Sequence, residues 1–214
     1  MSDSVDVPAD AAAVAGRYHR LERLVSGGVA LGIGLAGATA FLFLPPLWAL
    51  VPIVALVVLA RAPVFRSGGR ARLRTDADPP SVRETFAGAT PPPLALQWGI
   101  ADDVRTVEGG VVYDLSYLFG LRTVELRVQA EVVENVTEPD RVELTATVDG
   151  QPWGTYTAWI EPVEGGTGIT VEVQSDRKFG LRRIPQYLIV RRYRDAAIEA
   201  QGYEVVERSF SLST

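Results

Sequence analysis

No charged residue lies between Arg23 and Arg61. The 37 residues Leu24–Ala60 are almost all apolar or small. An uncharged run this long reads as membrane-spanning. As one straight helix it would reach ~55 Å, nearly twice a hydrocarbon core of ~30 Å. Pro45-Pro46 is where it should break, because proline lacks the backbone donor and clashes with the preceding turn. Leu24–Leu44 is then long enough for a crossing. Leu47–Ala60 is short, and reaches across only if the helix runs on to Phe65 with Arg61 snorkelling to the interface. Trp48 near the turn suits an interfacial aromatic. The expectation is a two-helix membrane anchor over residues 24–65, following an N-terminal tail over residues 1–23. A re-entrant second segment is the other reading.

The flanks orient this anchor. Arg17, Arg20 and Arg23 precede it, while Arg61, Arg66, Arg70, Arg72 and Arg74 follow it. The turn carries no charge, so the positive-inside rule places both termini and the downstream domain in the cytoplasm of a two-pass protein. Ala38-Thr39-Ala40 has the small-x-small form of a cleavage site, but the apolar run continues past it. Gly32–Gly37 reads G-x-G-x-x-G, yet a dinucleotide site needs a preceding strand, a βαβ unit and a downstream acid. The better account is close helix packing through Gly28 and Gly32, either within the hairpin or in a homo-oligomer.

Composition removes several chemistries. There is no cysteine, and His19 is the only histidine. Cysteine-based metal sites are therefore excluded, and no histidine lies near other catalytic groups. No metal, cofactor or nucleic-acid partner is expected. Asp102-Asp103, Asp114 and the pair Asp76/Asp78 read as solvated acids, so no catalytic residue is assigned. Asn135-Val136-Thr137 is a glycosylation sequon, without consequence in a cytoplasmic domain. The cations are 20 Arg and one Lys, Lys178, and the net charge is −5. Such an acidic, lysine-poor chain resembles salt-adapted haloarchaeal proteins; a GC-rich genome is the alternative. Charge is unevenly spread. Residues 75–176 carry 18 acids against five Arg, while residues 177–214 carry eight bases against four acids.

Residues 66–93 are rich in Arg, Gly and Pro and read as a linker. A short helix near Ser81–Ala87 is expected within it, with Ser81 as cap and Glu84 three residues on. From Leu94 to Thr214 the pattern becomes strand-like. Val124, Leu126, Val128, Ala130 and Val132 alternate with polar residues, as do Val142, Leu144, Ala146 and Val148, then Ile169, Val171 and Val173. Strands near 111–118 and 203–212 complete about six. Asp149-Gly150 is a two-residue hairpin turn. It would pair Ala146 with Trp153 and Leu144 with Thr155. A three-residue loop, Glu164–Gly166, would then set Trp159 opposite Val171. In this register Trp153 and Trp159 point inward and Tyr156 outward. Pro185 to Gly202 reads as one helix with an apolar stripe of Ile189, Tyr193, Ala196, Ala197 and Ala200. The fold class is α+β: a transmembrane helical hairpin, then an antiparallel sheet packed on one long C-terminal helix.

Strands, a Gly165-Gly166-Thr167-Gly168 turn and a late helix over Arg141–Gly202 resemble the START-like superfamily of polyketide cyclases and lipid-transfer domains. The resemblance implies a curved sheet gripping the last helix around an apolar cavity that holds a lipid or other hydrophobic molecule. Two features depart from it. The two short helices that normally follow the first strand are not found between Val111 and Val124, and an extra strand, Tyr203–Leu212, follows the helix. The expected function is non-enzymatic: a membrane-anchored domain binding a hydrophobic ligand through Trp153, Trp159, Leu144, Ala146, Val171 and Tyr193. The alternative is a membrane scaffold in which Arg61, Arg66, Arg70, Arg72, Arg74, Arg177, Lys178, Arg182 and Arg183 meet anionic headgroups.

Overall fold

The computed structural model describes the chain except residues 1–4, 6, 63–65, 118–121, 135–138, 179–183 and 214. Helix α1 (Ala9–Phe43) runs unbroken for 35 residues. Asp10 in its first turn complements the helix dipole. It ends where Leu44, preceding Pro45, turns extended. Helix α2 (Pro46–Arg61) starts with proline in its first turn, where the missing N–H costs nothing. Its Ile53 lies 3.7 Å from where a side chain on Gly37 of α1 would begin. A Cβ added at Gly28 or Gly32 would meet nothing within 4 Å.

The expected pair of membrane-crossing helices is corrected by these lengths. Among the described residues, only α1 combines the length and hydropathy of a span. At 16 residues, α2 covers ~24 Å, short of a ~30 Å core. α2 stops at Arg61 with Ala62 as its cap, and residues 63–65 of the expected extension lie outside the described residues.

The first half of α1 is no loose tail. Ala11, Val14, Ala15 and Tyr18 follow an i, i+3, i+4, i+7 spacing, and all four are buried in the domain core. They pack on helices α4 (Ala95–Trp98) and α5 (Ile184–Glu199). The Tyr18 and Tyr193 rings stand 5.8 Å apart. Glycine at position 99 permits the approach. A Cβ there would come within 2.7 Å of the Ala15 Cβ and 2.6 Å of the Ala95 carbonyl.

Residues 66–93 are likewise part of the domain rather than a linker. Strand β1 (Arg66–Thr75) lies inside an eight-stranded antiparallel sheet of order β2-β3-β4-β5-β6-β7-β1-β8. The other strands are β2 (Asp103–Val107), β3 (Gly110–Tyr117), β4 (Arg122–Val133), β5 (Asp140–Val148), β6 (Gln151–Val163), β7 (Gly166–Ser175) and β8 (Glu204–Ser213). In β1, Ala71 and Leu73 face the core while Arg70, Arg72 and Arg74 face solvent. Helix α3 (Pro79–Ala87) follows, and its cap is Asp78, not Ser81: Ser81 donates its N–H to the Asp78 carboxylate at 3.4 Å and its hydroxyl at 2.6 Å. Thus the two short helices after the first strand do exist, as α3 and α4. They precede β2 and do not lie between Val111 and Val124, because β1 is the first strand. The extra last strand is present as β8, an edge strand paired with β1.

The sheet's inner face is covered by a helical layer, not by one helix. α3 lies across β4 to β7, burying Val82 and Phe86. Ala197 and Ile198 of α5 are buried, and Tyr193, Ala196 and Ala200 pack against the same cluster. The Ile189 side chain lies outside the described residues.

A Gly99→Val substitution should wedge α1 away from α4, because overpacking a close contact costs ~1–3 kcal/mol. Limited trypsinolysis should then cut at Arg17 and Arg20 faster than in the wild type, while the strand circular-dichroism signal persists. Unchanged protection would show that α1 does not depend on this contact.

Candidate functional site

The inner face of β5, β6 and β7 carries the residues a ligand would meet, and its register is set by one extra residue. Asp149-Gly150 forms the expected tight turn, with φ of 50° and 74°, and Val148 pairs with Gln151. Thr147 then pairs with Pro152, but Ala146 pairs with Gly154. Trp153 is the additional residue of a β-bulge, and every later residue of β6 changes face. The second turn also differs. It is the two-residue Glu164-Gly165, with Val163 opposite Gly166 and Trp159 opposite Thr170.

The consequences for the expected site are specific. Leu144, Ala146 and Val171 lie buried on the inner face. Tyr193 is half-buried against the same core from α5. Trp153 remains packed on the core, because the bulge swings it inward, with its ring 6.2 Å from that of Tyr156. Tyr156, expected outside, is buried between Leu144 and Val173. Trp159 is moved to the outer face, where it stands opposite Arg141 and Thr170. The signal for this was present: a proline and a glycine inside a strand, at Pro152 and Gly154, mark a bulge.

The interior has two unlike halves. Trp98, Phe86, Leu94, Tyr113, Ile160 and Ile169, all fully buried, fill the half beneath α3 and α4. Polar atoms there are tied to backbone carbonyls: Trp98 Nε1 donates to Pro91 at 3.0 Å and the Tyr113 hydroxyl to Ala89 at 2.9 Å. In the other half small residues predominate. Gly69 and Ala71 on β1, Ala146 on β5, and Gly154 and Ala158 on β6 surround Tyr156 and Val173. Burial pushes the Tyr156 hydroxyl up to about 12, partly opposed by the charge of Arg194. An acidic or neutral group placed beside it would meet a phenolic proton held firmly at neutral pH.

The arginines expected at a membrane surface divide. Arg70 pairs with Glu172 at 3.1 Å and Arg72 with Glu207 at 3.2 Å, while Arg74 donates to the Glu164 carbonyl at 2.6 Å. These three serve the outer face of the sheet. Arg66, Arg177 and Lys178 are exposed. Arg177 donates from Nε to the Pro152 carbonyl at 3.1 Å, bracing the bulge. Arg61 ends α2, but its side chain, and Arg182 and Arg183 altogether, lie outside the described residues.

No protein-family profile matches the chain, and no curated protein is similar to it. Among solved structures, the chain is similar to a START superfamily protein from Mycobacterium smegmatis, at 10% identity and a TM-score of 0.42, over 64% of this chain and 97% of that one. It is also similar to the Mll3558 protein of Rhizobium loti, at 19% identity and a TM-score of 0.41, over 64% and 96% of the two chains. A conserved protein from Geobacillus kaustophilus shares 11% identity at a TM-score of 0.40, over 67% and 98%.

The upward shift of Tyr156 has a definite sign. The folded state holds the phenolic proton more tightly than the unfolded chain, so its contribution to stability is complete below pH 10.0 and declines as pH rises through about 12. Denaturation midpoints should fall over that window, and Tyr156→Phe should remove that part of the decline. An identical alkaline decline in both proteins would mean Tyr156 is not buried as described.

Proposed function

We propose that the chain is a membrane-anchored, non-enzymatic START-like domain that takes a hydrophobic, lipid-like molecule against Tyr156 and Trp153. The observation that carries the anchoring is the division of α1. One face of its first half is buried in the domain, whereas Leu24, Leu31, Leu35, Phe41, Leu42 and Phe43 are all at least 50% exposed. An apolar surface so extensive on one helix marks a membrane or a partner. Residues 24–43 at 1.5 Å each cover ~30 Å, the thickness of a hydrocarbon core. With α2 packed beside it, this part of α1 sits in the bilayer. The arginine flanks favour the cytoplasmic side for the domain.

The ligand reading rests on the small-residue half of the inner face. Gly69, Ala71, Ala146, Gly154 and Ala158 give little side-chain volume beside an aromatic pair and a buried hydroxyl, a mostly apolar lining with one fixed polar group. Tethering by α1 keeps that face close to a source of lipid. Val171 and Leu144 complete the apolar wall.

Substituting Ala146→Phe tests this directly. In a lined space the ring is accommodated, so the thermal midpoint should change little, while binding of a fluorescent fatty acid by the detergent-solubilised full chain should fall at least tenfold. A solidly packed interior gives the opposite pattern. The larger side chain then costs ~1–3 kcal/mol and lowers the midpoint by several degrees, and the wild type binds no probe.

A further inference from the structure

The strand registers give the two ends of the sheet unlike charge, one mixed with a basic corner and the other strongly acidic. Every strand is antiparallel to its neighbours. One end therefore collects the start of β1, the end of β7 and the β5–β6 turn. The other collects the β2–β3, β4–β5 and β6–β7 turns and the start of β8. Helix α2 delivers the chain to the first end, with only residues 62–65 between it and β1. That end carries exposed Arg66, Arg177 and Lys178 around the half-buried Trp153. Gly68 pairs with Gln174, so Arg66 lies beside the residues that follow β7. The Asp176 N–H donates to the Trp153 carbonyl at 3.3 Å, and Arg177 to Pro152, which holds this loop against the bulge. Asp149, Asp176 and Glu125 are the acids nearest this corner, Glu125 being paired with Arg127 at 3.5 Å, and Asp102 and Asp103 lie at the far edge strand.

The distal end is strongly acidic. Asp76, Asp78, Glu108, Glu134, Glu164 and Glu204 are all exposed. Its bases are engaged or few: Arg83 pairs with Asp140 at 2.8 Å and Glu134 at 3.2 Å, Arg74 binds the Glu164 carbonyl, and Arg141 is half-buried. A domain so polarised along its strands has a preferred orientation above a negatively charged surface.

We propose that the Arg66–Arg177–Lys178 end docks on anionic lipid headgroups, with Trp153 at the level of the interface and the acidic turns pointing away from the membrane. This rests on the membrane reading of α1. It adds an orientation and a lipid class that anchoring alone does not require. Docking brings the bulge, and so the Tyr156 side of the interior, to the bilayer surface. Attraction of this kind weakens with salt, because charges more than a Debye length apart are screened.

The chain has no cysteine, so single sites can be labelled cleanly. Full-length protein carrying Gln151→Cys, Glu164→Cys or Leu35→Cys is labelled with a fluorophore and reconstituted in phosphatidylcholine vesicles, with and without phosphatidylglycerol. Quenching by headgroup-attached nitroxide lipid should be several-fold stronger at position 151 than at 164 in the anionic vesicles. The difference should shrink in high salt and in the Arg66→Glu, Lys178→Glu background. Equal quenching at 151 and 164, or a difference indifferent to phosphatidylglycerol, overturns the docking. The label at position 35 reports separately on the anchor. If aqueous iodide reaches it freely, the membrane reading itself has failed.

Discussion

Both ends of the long apolar stretch are fixed to the same folded body, and most of the architecture follows from that constraint. On the entry side, Ala11, Val14, Ala15 and Tyr18 bury α1 against α4 and α5. On the exit side, α2 leads within a few residues into β1, held between β7 and β8. An anchor joined by a flexible linker would leave the domain free to tumble. Here the connection is a helix continuous from core to apolar extension on one side and a paired strand on the other. The position of the apolar extension relative to the domain is thereby determined by backbone hydrogen bonds.

The extra strand β8 and the helix α5 are tied into the same body. Arg208, only 10% exposed, contacts Asp195 of α5 at 2.9 Å. The Phe86 and Tyr203 rings meet edge to face at 5.8 Å, and Thr75 donates to the Gly202 carbonyl at 3.0 Å. Thr167, fully buried, donates to the Ala77 carbonyl at 2.6 Å. These contacts gather the start of α3, the end of α5 and the β6–β7 turn at the acidic end, away from the apolar helices.

The sequence made the strongly alternating elements visible. β4, β5 and β7 stand where Val124–Val132, Val142–Val148 and Ile169–Val173 alternate, because one wet face and one dry face leave a period of two. The break at Pro45 and the late strand after Gly202 were equally legible. β1 was hidden by composition. Only Ala71 and Leu73 turn inward in a strand otherwise made of Arg, Gly and Ser, and its outward arginines look like a linker until Glu172 and Glu207 stand opposite them. The helical start of α1 is faint in the sequence, since its apolar stripe is small and half alanine. The candidate site failed at one position. Parity along β6 is unforgiving, and the bulge at Trp153 exchanged Tyr156 for Trp159 on the inner face.

Hydrogen exchange across α1 in lipid nanodiscs measures the central claim most directly. If one helix is shared by the domain core and the bilayer, amides should be slow to exchange without interruption from about Ala15 through Phe41. Rapid exchange confined to residues 20–27 would show two helices joined by a loose segment, and would contradict the rigid coupling of the domain to its anchor.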